Sequence, residues 1–163
     1  MKKIFIPLIF IILAFGIAEA QTGKGFGVGV IVGEPTGLTF KTWLSPTKAI
    51  DAAAAWSFSE NPSFQFHMDY LLHSYFIKEP AESKGSLPVD FGLGFRLKLK
   101  GDKDGDGLND DKTMVGVRIP FGISYLFADA PLDIFGEVVP VLDLVPDTQF
   151  DINAAFGLRL YFR

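Results

Sequence analysis

Apolar residues recur at every second position of this chain, and charge is confined to the positions between them. Phe26, Val28, Val30 and Val32 are interleaved with Gly27, Gly29 and Ile31. Leu38, Phe40 and Leu44 alternate with Thr39, Lys41 and Trp43, and Ile50, Ala52, Ala54, Trp56 and Phe58 with Asp51, Ala53, Ala55 and Ser57. Phe64, Phe66, Met68, Tyr70 and Leu72 oppose Gln65, His67, Asp69 and His73. The contrast sharpens later: Val89, Phe91, Leu93, Phe95, Leu97 and Leu99 against Asp90, Gly92, Gly94, Arg96 and Lys98. Further runs cover Val115 to Tyr125, Ile134 to Asp143 and Asp151 to Phe162. A period of two is the strand signature, because successive side chains point to opposite faces. The pattern predicts eight strands, parted by turn-forming stretches such as Glu34-Pro35-Thr36-Gly37, Ser45-Pro46-Thr47 and Asp129-Ala130-Pro131. It shows no internal repeat and no helix of useful length.

Which face is polar decides the architecture. The apolar sets carry no charge, whereas the opposite face carries Lys41, Asp51, Asp69, Asp90, Arg96, Lys98, Arg118, Glu137, Asp143, Asp151 and Arg159, with much glycine and alanine. In a soluble eight-stranded barrel the Phe, Leu, Val and Trp set would have to crowd a lumen just wide enough for side chains. The inverted arrangement puts small and charged residues in the lumen and bulky apolar ones against lipid. A charge facing mid-bilayer would cost about 2–4 kcal/mol. The inward charges nearly cancel, as a closed lumen requires. The reading is therefore all-β: an eight-stranded antiparallel up-and-down transmembrane β-barrel.

Composition now falls into place. Lys2 and Lys3, the apolar stretch Ile4 to Ile17 and Ala18-Glu19-Ala20 read as a cleavable secretory signal peptide over residues 1–20, leaving 21–163 as the barrel. No later run is apolar enough for a spanning helix. The 163-residue chain has no cysteine, so a disulfide scaffold and a zinc-finger-type site are excluded, and its net charge of −4 argues against nucleic acid. Export together with a barrel implies the outer membrane of a diderm bacterium. With the mature N-terminus inside, connections one, three, five and seven face outward: 34–37, 59–63, 101–112 and 145–149. They are short, which leaves little surface with which to grip a partner.

The last strand, with Phe156, Leu158, Leu160 and Phe162 before Arg163, resembles the assembly signal that outer-membrane barrels present to their insertion machinery. At fold level the mature chain resembles the eight-stranded OmpA and OmpX type. The run Leu87-Pro88, Gly92-x-Gly94, Arg118-x-Pro120-x-Gly122, Phe135-x-Glu137-x-x-Pro140 and Gly157-x-Arg159-x-Tyr161-Phe162 is similar to small uncharacterised outer-membrane barrels. These resemblances imply outer-membrane lipid and the insertion machinery as partners, and no activity. A monomer is expected.

Two constellations could carry chemistry. Arg118, Glu137 and Arg159 lie inward on consecutive strands, so an Arg–Glu–Arg lattice is expected, with Arg96 and Asp151 completing a lumen charge network. It would either plug and stiffen the barrel or gate a narrow water path. Pro120 and Pro140, in neighbouring strands, each remove a ladder donor and predict a bulge. The second constellation is Asp102, Asp104, Asp106 and Asp110, at positions one, three, five and nine of a loop with Gly107 at six. That spacing suits calcium, although Thr113 stands where an EF-hand places its bidentate acid, so affinity in the millimolar range is the most to expect. No other cofactor is expected. His67 and His73 stand about 20 Å apart along one strand, too far to share a metal. Ser57, Ser74 and Ser124 have no His–acid partner by spacing, so the chain reads as no enzyme. The function expected is a structural or envelope-maintenance barrel with a plugged lumen. The alternatives are a narrow solute or ion pore and a lipid-modifying enzyme.

Overall fold

In the computed structural model the described residues are 25–57, 63–76, 84–100 and 113–162. They form ten strands in one antiparallel sheet. The strands are β1 (Phe26–Gly33), β2 (Gly37–Ser45), β3 (Lys48–Ser57), β4 (Ser63–Ser74), β5 (Gly85–Ser86), β6 (Val89–Lys100), β7 (Thr113–Arg118), β8 (Phe121–Phe127), β9 (Leu132–Val145) and β10 (Gln149–Phe162). Strands β1 to β4 pair in sequence order, and β4 pairs with β6. Both β7 and β8 lie between β6 and β9. Strand β10 then pairs with β9 on one side and with β1 on the other, Phe26 opposite Phe162 and Gly33 opposite Ala155. The sheet closes on itself, so β1 and β10 are not left as the unpaired edges that invite aggregation.

The count is ten where the alternation predicts eight, for two physical reasons. The run Val115 to Tyr125 is split into β7 and β8 at Ile119-Pro120, and β5 is a two-residue ladder on β8 in the connection from β4 to β6. The split is a loss of hydrogen bonds rather than of register. Arg118 opposes Val141 and Phe121 opposes Val138, so pairing with β9 runs straight through the break. The bulge expected at the prolines is therefore not there; the register shift lies between Val115 and Gly116. What the prolines do is halve two hydrogen-bonded rings. Ile119 N–H donates to the Pro140 carbonyl at 3.0 Å, and Gly92 N–H donates to the Pro120 carbonyl at 3.0 Å. Neither proline has an N–H to return.

The alternation of the sequence becomes an inverted burial pattern. Along β10, Asn153, Ala155, Gly157, Arg159 and Tyr161 are buried, whereas Ile152, Ala154, Phe156, Leu158 and Phe162 are exposed. Across the described residues the largest fully buried side chains are Arg96, Arg118 and Arg159, followed by Lys41. Two small apolar clusters also lie inside: Trp43, Ala49, Leu126 and Tyr161, and Ile31, Ala53, Phe135 and Ala155. Asp51 stands between Ala49 and Ala53 on β3, so charge is layered between two apolar plugs. Glycine makes room for the larger members. A Cβ at Gly157 would come within 2.5 Å of the Phe135 ring, and one at Gly27 within 2.8 Å of the Tyr161 ring.

The halved rings at the prolines should be visible in solution. Amide exchange in detergent-folded protein is expected to be about fivefold faster at Ile119 and Gly92 than two residues away at Val117 and Gly94, as losing a bond of about 1 kcal/mol implies. Equal protection at all four amides would contradict this description of the wall.

Candidate functional site

The interior carries the only dense chemistry among the described residues, and it is organised around three arginines at three levels. Each is placed by strand parity: β6, β7 and β10 direct Arg96, Arg118 and Arg159 inward because their neighbours Phe95, Val117 and Leu158 face out. Arg159 is the central one. Its guanidinium donates to the Asp51 carboxylate on β3, its Nε donates to Thr39 Oγ1 at 3.1 Å, and Asp133 lies 3.5 Å away. The guanidinium carbon also sits 3.6 Å from the centre of the Phe135 ring, a stacked cation–π geometry. Tyr161 hydroxyl donates to Asp133 at 2.7 Å, tying that carboxylate a second time.

Arg118, itself wholly buried, takes Asp69 on β4 over Gly94 of the intervening β6, with Nε 3.1 Å from Oδ1 and the terminal nitrogen 3.1 Å from Oδ2. The same terminal nitrogen reaches Glu137 Oε1 at 3.4 Å. Nearer the mouth formed by the β1–β2 turn, Arg96 Nε donates to Asp143 at 2.9 Å, and its terminal nitrogens reach Asp151 at 3.4 Å. At the opposite end, Lys41 Nζ is 2.8 Å from His73 Nε2 and 4.7 Å from the centre of the Trp43 ring, and the Trp43 and His73 rings meet at a tilt of 48° with centres 4.4 Å apart. His67 and His73 each lie 4.0 Å from one carboxylate, Asp69 and Asp90 respectively.

These contacts place each residue of the expected network. Arg96 meets Asp151, and Arg118 meets Glu137. The Arg–Glu–Arg lattice is not formed as drawn, because Arg159 takes Asp51 and Asp133 instead of Glu137. Asp133 is the direct cross-strand partner of Arg159 on β9, and Asp51 reaches it from β3, three strands away in the sheet. Asp133 escaped the sequence reading, yet it continues the inward series of Phe135 and Glu137 by one step toward the turn. Asp102, Asp104, Asp106 and Asp110 lie outside the described residues. Among those described, no group of three or more His, Asp or Glu side chains is placed to hold a metal.

The chain was then compared with known proteins. A family model described as protein of unknown function (DUF3996) matches residues 4–150. The chain belongs to the DUF3996 family. No curated protein matches it. Among solved structures it is similar to the N-terminal β-barrel domain of OprF from Pseudomonas aeruginosa, at a TM-score of 0.57 and 13% identity. That match covers 88% of this chain and all of the OprF domain. At such identity the likeness is one of fold. It matches the DUF3996 chain to a β-barrel, in line with the closed pairing of β1 and β10.

Because the central pairs are sealed between apolar clusters, breaking one should be costly. Arg159→Ala, which strands Asp51 and Asp133, is expected to lower unfolding free energy by about 3–5 kcal/mol. Lys84→Ala, at an exposed pair with Asp129, should cost less than about 1 kcal/mol. Urea titrations of both variants check the order; equal small losses would mean that the interior pairs are not desolvated.

Proposed function

We propose that this chain spans the outer membrane of a diderm bacterium as an eight-stranded β-barrel. In this reading β7 and β8 serve as one interrupted strand and β5 stands outside the count. The role we assign is structural, a non-catalytic envelope-maintenance protein whose lumen is closed by its own ion pairs, acting as a monomer in outer-membrane lipid.

The distribution of charge on the outer surface carries this reading. Among the described residues the exposed charged side chains are Glu34, Lys48, Lys84, Lys100, Asp129 and Asp147. Every one sits in a turn or at the end of a strand. Between them the outer wall presents Phe91, Leu93, Phe95, Phe121, Phe156 and their neighbours, each 45–65% exposed or nearly so. A soluble protein that showed such a belt to water would forfeit roughly 1.5–3 kcal/mol per large side chain, and contiguous patches of that extent mark membrane or partner surfaces. Lipid removes the penalty. Away from the Ile119-Pro120 seam the same wall pairs its strands in a closed ladder, as a hydrocarbon environment demands.

The plugged lumen supports a structural role over conduction. The three arginine pairs and two apolar clusters occupy successive levels, and the cavity among Lys41, Asp51, Asp90 and Arg159 has a volume of only about 10 Å³. A water needs at least that much room together with polar partners. The protein is expected to fractionate with the outer membrane, to run faster on gels before boiling than after it, and to leave planar bilayers silent. Glu137→Gln should stay silent as well. Stepwise currents from the unaltered protein would replace this reading with that of a narrow pore, and full solubility without detergent would remove the barrel altogether.

A further inference from the structure

Beside the β1–β2 turn the interior widens into a cavity of about 480 Å³, within the range of about 300–1,000 Å³ usual for small-molecule sites. Gly33 and Ala55 line it with almost no side-chain volume, and Arg96, tied to Asp143 and Asp151, stands at its inner end.

Two of its lining groups keep hydrogen-bonding capacity that the barrel does not use. Gln65 is 7% exposed and Asn153 is 2% exposed, yet Gln65 Nε2 and Asn153 Oδ1 have no partner among the described residues. The first is a donor and the second an acceptor. A buried polar atom left unmet is costly, so each rewards whatever completes it. They belong to facing walls: β4, which carries Gln65, and β10, which carries Asn153, lie four strands apart in both directions round the closed sheet.

Charge is divided in the same sense. Lys98 on β6 is the direct cross-strand partner of Gln65. Asp151 points inward two residues from Asn153 on β10, and Glu34 is held beside β10 by its N–H, which donates to the Ala154 carbonyl at 2.9 Å. All three charged residues line the cavity. Arg96 does not reverse this polarity. Its Nε and a terminal nitrogen are already engaged with Asp143, so with Asp151 as its more distant partner the trio keeps one negative charge in excess. The β4–β6 wall therefore offers a donor and a cation, and the β10 wall an acceptor and two carboxylates.

We propose that this mouth binds a small zwitterion whose ammonium and carboxylate stand at opposite ends, a dipeptide or an ω-amino acid. The carboxylate accepts from Gln65 Nε2 beside Lys98, and the ammonium donates to Asn153 Oδ1 beside Asp151 and Glu34. A simple anion or cation gains from one wall what it loses at the other. The site rests on the proposed membrane reading only for the side of the membrane it faces. It opens no path through the lumen, because Arg96 and the pairs below it stay in place.

Glycylglycine is the probe, titrated into detergent-folded protein whose unboiled gel mobility is checked in the same sample. Binding is read from saturation-transfer NMR of the peptide's methylene protons. N-acetylglycylglycine lacks the ammonium and glycylglycine amide lacks the carboxylate. Saturable binding of glycylglycine in the millimolar range is expected, with each blocked peptide at least about tenfold weaker, the worth of one charge-assisted hydrogen bond. Gln65→Leu and Asn153→Leu should each weaken glycylglycine to a similar degree. Lys98→Gln should narrow the gap between glycylglycine and its amide, and Asp151→Asn the gap between glycylglycine and its N-acetyl form. No saturable binding overturns the proposal, as does equal binding of the blocked peptides or undiminished binding in both leucine variants. Should a leucine variant lose the folded mobility, the two charge variants decide, and gaps unchanged in both overturn the proposal. Folded mobility without peptide binding sinks this site and leaves the barrel reading standing.

Discussion

The buried guanidinium of Arg159 sets the terms for the rest of this structure. A cation removed from water must be matched by carboxylates and hydrogen bonds within a few ångströms, or the fold forfeits several kcal/mol. Asp51, Asp133, Thr39 and the Phe135 ring supply that match from three other strands. Those strands converge on one point only because the sheet closes: β10, which carries Arg159, must pair with β1 as well as β9. The small residues of the inner face follow from the same requirement. Gly157 makes room for Phe135, and alanines flank Asp51 on β3, so that long side chains from opposite walls can meet in a narrow space.

Closure and inversion support each other. A sheet with polar side chains inside gains nothing from an apolar core in the usual sense, and its cohesion comes from the ladder together with the ion pairs. The ladder is continuous in register even where Pro120 and Pro140 strip it of donors. That seam is the one stretch of the wall where the two principles are at odds, with backbone bonds absent and Arg118–Asp69 and Arg118–Glu137 contacts just inside. The interior charge thus reinforces the wall at the level where the backbone does so least.

Much of this was legible in the order of residues. The period of two, the segregation of charge to one parity and the inward assignment of Arg96, Arg118, Glu137, Asp151 and Arg159 follow from single-strand geometry, which sequence encodes directly. Three things were not legible. The break at Ile119-Pro120 depends on which neighbour each proline would have donated to, a fact of pairing rather than of pattern. Arg159 takes Asp133, its direct partner on β9, together with Asp51 three strands away on β3, and strand tilt and stagger decide which distant carboxylate arrives at its level. A cavity of about 480 Å³ by the β1–β2 turn is lined by the small residues Gly33 and Ala55 from two different strands, a coincidence neither strand displays by itself. Asp133 was within reach: it keeps the parity of Phe135 and was lost only because the strand begins two residues earlier than the apolar run suggested.

The central claim is that apolar parity faces lipid and polar parity faces a sealed interior. Nitroxide labels at Ile152, Ala154, Phe156 and Leu158, with Ala155 as the inward control, test it on β10 in protein reconstituted into vesicles. The account predicts high collision rates with oxygen and low rates with a water-soluble nickel chelate at the four outward positions, and low rates with both reagents at position 155. Ready collision of the nickel chelate at Phe156 and Leu158 would place that face in water and contradict it.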